Sequence, residues 1–310
     1  MRTRWIAVAL VGIGLSAWAQ NPQNGDIARV GTINYIEGTA YLQGKLLKQS
    51  DVGNAVLKTG QMLTTGDGRA EVLLTPGVFL RTDDNSAIRM VSPRLLQTQV
   101  ALVQGKVAVE VDEIHPENDL EILVGGVRTQ MLNTGYYEFD AAHPQAMVFK
   151  GKAAVNLGDD KYNLIKAHHE LALTGSMTSK PKDFNPTAAQ DDLYHWSTLR
   201  SQYLAEANNE LAQEYGDMPG FEPGWFWDPY GYDFTYIGMG PLWSPFGFGF
   251  FPPWYGGFYG GFYGGGFYGR GGYYGGRGRF GGVGRPGFGG GGVHVGGGMH
   301  GGGGGGGAHR

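Results

Sequence analysis

The sequence predicts a mainly β protein that continues into one long amphipathic α-helix and ends in a disordered glycine-rich tail. Short apolar runs separated by Gly, Asn and Asp fill residues 26–175, a pattern typical of strands and turns. A later stretch, residues 187–216, has apolar residues at spacings of three and four. Of the 57 Gly, 31 lie within residues 256–310, which have too few aliphatic side chains to form a core.

The first region is predicted to be β because its apolar residues alternate. Valine occupies every second position of residues 107–111, so one face of this strand should be buried. Glu110 and Asp112 then belong to the other face, where we expect them to be solvated. Turn-forming pairs such as Pro76-Gly77 and Gly125-Gly126 separate the runs. Residues 26–175 should therefore form a dozen or more short strands.

One unit recurs in this region: an apolar run, a Gly followed by Lys or Thr, and a second apolar run. It is centred on Gly105 and again on Gly151, and a looser version surrounds Gly38. The unequal spacing excludes a strict solenoid repeat. Two interpretations remain open: strands that turn corners in a loosely coiled β-structure, or ordinary β-hairpins.

Several motifs follow one another in a recognisable order. They are L-K-T-G-Q-M-L-T-T-G at 57–66, R-A-E-V at 69–72, G-V-F-L-R at 77–81 and N-S at 85–86. In this order they resemble the FecR domain, over about residues 28–160. The family usually has Gly before Thr where this chain has Thr134-Gly135. The resemblance implies a periplasmic, β-rich domain of solenoid-like or sandwich-like form that binds protein partners and has no active site.

The predicted helix, residues 187–216, carries one apolar stripe. The stripe consists of Leu193, Trp196, Leu199, Tyr203, Ala207, Leu211 and Tyr215. Asp191 and Asp192 fall in the first turn, and Gly216 should end the helix. We expect the stripe to pack on the apolar surface of the β domain itself. The alternative is a helix that binds a partner or mediates oligomerisation.

Residues 219–255 have a different character, with 15 aromatic residues between positions 221 and 255 and frequent Pro and Gly. This segment has too much Pro and Gly for us to expect a packed sheet. It has too many aromatic rings for us to expect an inert linker. Trp225, Trp227 and Trp243 are the candidate partner-binding residues of this segment, because exposed rings can stack on a partner.

The tail, residues 256–310, contains Phe-Tyr-Gly-Gly units, an Arg-Gly-Gly and poly-Gly. Rings interleaved with Gly can stack on sugars, polymers or one another and give weak, multivalent surface attachment. The alternative is a solvated spacer. Five Arg give the tail too little positive charge for us to expect a nucleic-acid partner.

The amino terminus predicts export. Arg2 and Arg4 precede an apolar run over residues 5–15, and Ala17 and Ala19 occupy the positions that signal cleavage requires. We expect cleavage after Ala19 and a periplasmic or extracellular mature protein without a transmembrane span. An uncleaved anchor is the alternative, although the run is shorter than the ~20 apolar residues that span a bilayer.

Motifs for catalysis, cofactors or metals are not recognisable in the sequence. The absence of Cys excludes thiol chemistry and Cys-ligated metals. His168 and His169 are adjacent, and side chains of adjacent strand residues point to opposite faces, so they should not share an ion. The acidic run around His115 lacks the spacing of a calcium loop. We therefore predict no catalytic residue, no cofactor and no metal.

Together these features predict an exported, non-enzymatic protein that binds an envelope protein or a cell-wall component. Its tail would mediate association with a surface or polymer. A second hypothesis is a periplasmic regulator in a FecR-type signalling system. Only four residues precede the apolar run, so such a regulator would have to act through a membrane partner. A third is a glycan-acting enzyme, which would need two carboxylates facing each other across a cleft.

Overall fold

Strands dominate the described part of the chain, which is residues 28–156, 162–174, 180–215 and 220–255 of a computed structural model. The elements in chain order are β1 Ile33–Leu42, β2 Lys45–Leu46, β3 Met62–Leu73, β4 Val78–Thr82, β5 Ala87–Arg94, β6 Gln97–Gln104, β7 Lys106–Val111, β8 Asp119–Val124, β9 Val127–Met131, β10 Gly135–Asp140, β11 Gln145–Lys150, β12 Lys152–Asn156, β13 Tyr162–Lys166, β14 His169–Ala172, β15 Lys182–Asp183, α1 Asp192–Glu214, β16 Gly224–Asp228, β17 Asp233–Ile237, β18 Leu242–Trp243 and β19 Gly249–Phe250.

Strands β1 to β15 form one sheet that folds over on itself into two layers. The first layer has the order β13-β12-β9-β8-β6-β5, and the second has the order β4-β7-β10-β11-β14-β15. Strand β3 joins them, because residues 62–64 pair with β5 and residues 70–73 pair with β4. Inward side chains of both layers, such as Ile122 and Val109, meet in one core. The predicted mainly β fold is therefore confirmed, in its sandwich-like form.

The chain crosses between the layers at glycines. Gly105 lies between β6 of the first layer and β7 of the second, and Gly151 lies between β11 of the second and β12 of the first. Both have positive φ angles, +73° and +98°. A Cβ atom at Gly105 would overlap Ser86, and one at Gly151 would overlap the Tyr137 hydroxyl. The corner interpretation is confirmed at these two sites, and the hairpin interpretation is wrong because the flanking strands lie in different layers.

Gly38 plays another role. It lies within β1, at a bulge in the pairing with β3, where it faces Gly68. A Cβ atom on Gly38 would overlap the backbone of residues 67 and 68. The glycine here permits a close approach of two paired strands rather than a change of layer.

Both faces of the second layer are buried at β7, which corrects the expectation for Glu110 of β7 and for Asp112, which follows it. Helix α1 and the hairpin β16–β17 cover the outer face, where Leu73 and Phe79 of the sheet pack with Leu204 of the helix. Glu110 and Asp112 are only 0% and 2% exposed. Alternation along a strand separates its two faces, but it does not reveal that a distant segment will cover the second one.

Helix α1 spans Asp192–Glu214, within the predicted 187–216. Its first turn is capped by Asp191, whose side chain accepts a hydrogen bond from the backbone N–H of Tyr194 at 3.0 Å. The residues before Asp191 form turns instead of helix. The expectation that the helix packs on the β domain of the same chain is confirmed.

The buried face of α1 is more polar than the predicted stripe. Leu199 and Tyr203, which belong to that stripe, are 46% and 52% exposed. Arg200, Leu204 and Asn208 are buried in their place. The helix is rotated in this way because its polar side chains find hydrogen-bonding partners on the sheet and the hairpin.

Residues 219–255 contain a packed hairpin, so the expectation that Pro and Gly exclude a packed sheet was wrong. Strands β16 and β17 pair from Gly224 opposite Ile237 to Asp228 opposite Asp233, and every residue of β17 is buried. Pro223 and the other prolines of this segment lie outside both strands, so the paired backbone keeps its N–H donors.

Some predicted features lie outside the described residues. These are the signal segment with Ala17 and Ala19, the predicted helix end at Gly216, and the glycine-rich tail over residues 256–310. Among the described residues, no helix combines the length and the hydropathy that crossing a membrane requires.

Candidate functional site

A cluster of charged side chains lies on the covered face of the second layer. Arg81 of β4 stands between Glu71 of β3 and Glu110 of β7, because β4 pairs with both strands. Its Nε donates to Glu71 at 2.8 Å, and its Nη1 donates to Glu110. All three side chains are fully buried. The burial of these charges is tolerated because each one is paired with a charge of opposite sign.

Helix α1 and the hairpin complete this cluster. Arg200 Nη2 donates to Glu71 at 3.0 Å and to Asp233 of β17 at 2.6 Å. The next residue, Ser201, donates its hydroxyl hydrogen to Glu110 at 2.6 Å. One network therefore connects the sheet, the helix and the hairpin.

The surroundings of the buried carboxyl groups on this face shift their pKa values in opposite directions. Burial alone would raise the pKa of Glu71, but the charges of Arg200 and Arg81 outweigh burial and hold the pKa at about 2. Burial raises the pKa of Asp233 to about 6, although Arg200 opposes the shift. Burial, followed by the neighbouring carboxylate on β7, raises the pKa of Asp112 well above its ordinary value. Glu71, Arg81 and Glu110 are buried and paired with one another, so they join the three strands that carry them.

A second polar contact holds the start of α1. Lys106 Nζ lies 2.9 Å from the carboxylate of the capping residue Asp191. Nearby, the Tyr136 hydroxyl donates to Glu138 at 2.9 Å. Burial, and then the charge of Asp191, raises the pKa of Glu138 to about 8. This end of the helix is therefore sensitive to the ionisation of Glu138.

The three candidate tryptophans do not form one site. Trp225 packs edge-on against Phe79 with ring centroids 5.1 Å apart, and Trp227 packs edge-on against Phe234 at 5.0 Å. These two rings help to attach the hairpin to the β domain. Trp243 is 64% exposed, so it is the candidate whose ring is most available to a partner.

A groove of about 530 Å³ runs beside Trp225. Pro76, Pro93 and Leu95 of the β domain form part of its wall, and Pro223 comes from the segment before the hairpin. The groove therefore exists only when the hairpin is packed on the sheet.

The outer face of the first layer is exposed to solvent. It consists of the outward side chains of β5, β6, β8, β9, β12 and β13, and we call it the open face. Alternate residues of these strands point into the core, so their neighbours point outward. Val103 and Leu164 on this face are 46% and 51% exposed, and Val91 and Tyr162 are exposed as well. Exposed apolar side chains grouped on one face are typical of binding surfaces.

The histidines that the sequence singles out lie apart from one another. His168 occupies a turn, with φ +64°, and His169 Nε2 lies 2.9 Å from a carboxylate oxygen of Asp183. His115 Nε2 lies 3.5 Å from Glu113. In the described ranges, no group of three or more His, Asp or Glu side chains is arranged to hold a metal ion.

The sequence-based predictions missed the charged cluster and the open face. A signal for the cluster was present, because Arg81 follows the apolar residues 78–80 directly and Glu71 lies in a similar run. A charge within an apolar strand indicates a buried partner. The open face had no comparable signal, since its outward residues mix apolar and charged types.

Comparisons with known proteins find similarity over part of this chain. Residues 60–154, which include β3 to β11 in full, match the family model described as FecR protein. No curated protein matches the chain. The similar solved structures include two crystal structures of a proposed anti-sigma factor from Parabacteroides distasonis, at 2.50 and 1.65 Å resolution.

Each of these two structures is 12% identical to this chain, with TM-scores of 0.34 and 0.35. The similarity covers 41% and 44% of this chain and 61% and 63% of the solved chains, so this chain spans less than two thirds of their length. The resemblance suggested by the sequence motifs is confirmed by the family match, which covers residues 60–154 of this chain.

Proposed function

We propose that this chain is an exported, non-enzymatic FecR-domain protein that binds a protein of the cell envelope through its open face. The signal-like amino terminus with Ala17 and Ala19 supports export. The aromatic and Gly-rich end, with the exposed Trp243, supports an additional weak association with a surface or polymer.

One observation carries the binding role. The chain covers the outer face of the second layer with its own helix and hairpin, whereas the outer face of the first layer keeps apolar side chains in solvent. Strands β5, β6, β8 and β9 of that open face belong to the FecR match, residues 60–154. Burying Val103 and Leu164 against a partner would remove apolar area from water, worth roughly 25 cal/mol per Å².

A second candidate is a regulator in a FecR-type signalling system. The match over residues 60–154 favours it, because the family resemblance implies proteins that relay the state of a receptor. In this case the partner on the open face would be a membrane protein, and its occupancy would alter gene expression.

The test is site-specific photo-cross-linking in cells. A photoreactive residue at Val103 or Leu164 should capture the same envelope protein, because both positions lie on the open face. Leu199 and Tyr203 of α1 are the matched controls, since their exposure is similar. Capture from the helix positions and not from the open face would contradict the proposal.

Two further measurements test the regulator and the enzyme alternatives. Altered transcription in a Leu164→Glu strain, together with capture of a membrane-spanning protein, would favour the regulator. Turnover of a glycan by the purified protein, abolished by one carboxylate substitution, would contradict the non-enzymatic role.

A further inference from the structure

The open face is basic, although the whole chain is acidic with 28 Asp and Glu against 24 Lys and Arg. Four strands of this face contribute exposed, outward basic residues, among them Arg89, Arg128, Lys152 and Lys166. The outward acidic residues of its described strands are Asp119 and Glu121, both on β8. Glu121 already accepts a hydrogen bond from Gln99 at 2.8 Å.

The pairing register places these charges around apolar side chains. Arg89 is opposite Ala101, Ala101 is next to Leu123, and Leu123 is opposite Arg128. This row therefore has an arginine at each end and apolar residues in the middle. On the neighbouring strands, Leu164 is opposite Ala154.

The two lysines of the face have no carboxylate partner among the described residues, whereas the charge of Arg128 acts on the carboxylate of Glu121. No ion pair between described residues includes any of the four. Lys152 and Lys166 are directly opposite each other on β12 and β13. Like charges in this arrangement are destabilising. A surface that keeps an unfavourable pair of charges is better explained by what it binds.

From this arrangement we infer that the open face binds an acidic protein surface with apolar side chains at its centre. The inference rests on the proposed function and specifies the chemistry of the partner. Complementary charge would speed association and exclude basic partners. A partner of this kind would also neutralise Lys152 and Lys166.

An anionic membrane is the less favoured ligand for this face. Proteins that bind the membrane interface insert Trp, Phe or Leu about 5–10 Å into the lipid. On this face, Arg89 and Arg128 flank Ala101 and Leu123 in one row of paired strands. An acidic folded surface can contact these basic and apolar side chains together without burying the arginines in lipid.

The experiment measures binding of the full mature chain to defined probes. The probes are synthetic peptides of equal mean hydropathy that carry negative, zero or positive net charge, and vesicles of phosphatidylglycerol or of phosphatidylcholine. Fluorescence anisotropy at low and high salt gives the affinity for the peptides, and co-sedimentation gives it for the vesicles. The acidic peptide should bind about tenfold more tightly than the neutral one, with a loss of affinity at high salt.

The variants keep the geometry and change the sign of the charge. Lys152→Glu with Lys166→Glu retains a like-charged pair, so its stability should match that of the wild type, and it should lose about tenfold in affinity for the acidic peptide. The control, Lys45→Glu with Lys58→Glu, changes two exposed lysines outside the face and should bind as the wild type does.

Equal affinity for acidic and neutral peptides would overturn the inference, and so would binding to phosphatidylglycerol vesicles but not to the acidic peptide. Self-association that the Lys152→Glu and Lys166→Glu changes abolish would overturn it in favour of a second copy of the chain. Cross-linking from Leu164 is independent of these results. If it still captures an envelope protein while charge has no effect, the inference fails and the proposed function stands.

Discussion

Arg200 of helix α1 and Glu71 of strand β3 are hydrogen-bonded at 3.0 Å across 129 positions of the chain. The bond joins the region that matches the FecR model to a helix that lies outside the matched residues 60–154. Both side chains are buried, so neither charge can turn to water if the other is removed. The pair therefore makes the position of the helix on the sheet specific.

Replacing Arg200 by Ala should destabilise the protein by about 3–5 kcal/mol, because Asp233 loses its charged partner and Glu71 keeps only Arg81 and the amide of Asn34. Chemical denaturation measures this free energy of unfolding. The matched control is Arg89→Ala on the open face, which should change it by less than about 0.5 kcal/mol. Equal effects of the two substitutions would show that the buried pair contributes nothing specific.

Ionisation of Glu138 should weaken the fold as the pH rises. Its pKa is about 8 in the fold, against an ordinary value of 4.5, so its stabilising contribution is complete below pH 4.5 and is lost as the pH rises to about 8. The Glu138→Gln variant stays neutral and can still accept the hydrogen bond from Tyr136.

The measurement for this prediction is the free energy of unfolding against pH. Between pH 4.5 and about 8, the wild type should lose more stability than Glu138→Gln, since each unit of pKa difference corresponds to about 1.4 kcal/mol. Other buried carboxyl groups titrate equally in both proteins, so the difference between the curves isolates Glu138. Parallel curves would mean that this carboxyl group has an ordinary pKa.

Gly105→Ala should disturb the corner between the layers. The backbone there has φ +73°, and the added methyl group would also overlap Ser86. Gly60 has φ +77° with open space around it, so Gly60→Ala carries the backbone strain alone. We expect a loss of about 1 kcal/mol for Gly60→Ala and at least about 2 kcal/mol for Gly105→Ala in thermal or chemical unfolding. A larger loss at Gly60 would argue against a steric role for the corner glycine.

Substitution of Trp225 should affect stability, whereas substitution of Trp243 should affect only binding. Trp225→Ala removes a ring packed between Phe79 and Tyr236, and we expect a loss of about 2–4 kcal/mol in stability. Trp243→Ala should change stability by less than about 0.5 kcal/mol because the ring is mostly exposed. Retention of both variants on an immobilised cell-wall polymer tests the binding role, and undiminished retention of Trp243→Ala would remove this residue from the candidates.

Much of the secondary structure was predictable because it follows from local periodicity. Alternation over residues 107–111 identified a strand, and the spacing of three and four after Asp191 identified the helix. A Gly followed by Lys at 105–106 and at 151–152 indicated an unusual backbone conformation. It did not indicate whether the chain turns a corner there or forms a hairpin. The hairpin β16–β17 was not predicted, because the Pro and Gly content of the whole segment does not reveal that its prolines lie outside the two strands.

The sequence by itself determined that a strand-rich region resembling the FecR domain precedes one amphipathic helix, because the repeating patterns and motifs of single segments carry that information. The tertiary structure alone decided which face of each layer is covered. Glu110 became a buried residue because Ser201, 91 positions away, lies over it, whereas Leu164 remained exposed because no described segment packs on its face. Burial depends on contacts between segments that are far apart in the chain, and a local pattern cannot encode which of its two faces a distant segment will cover.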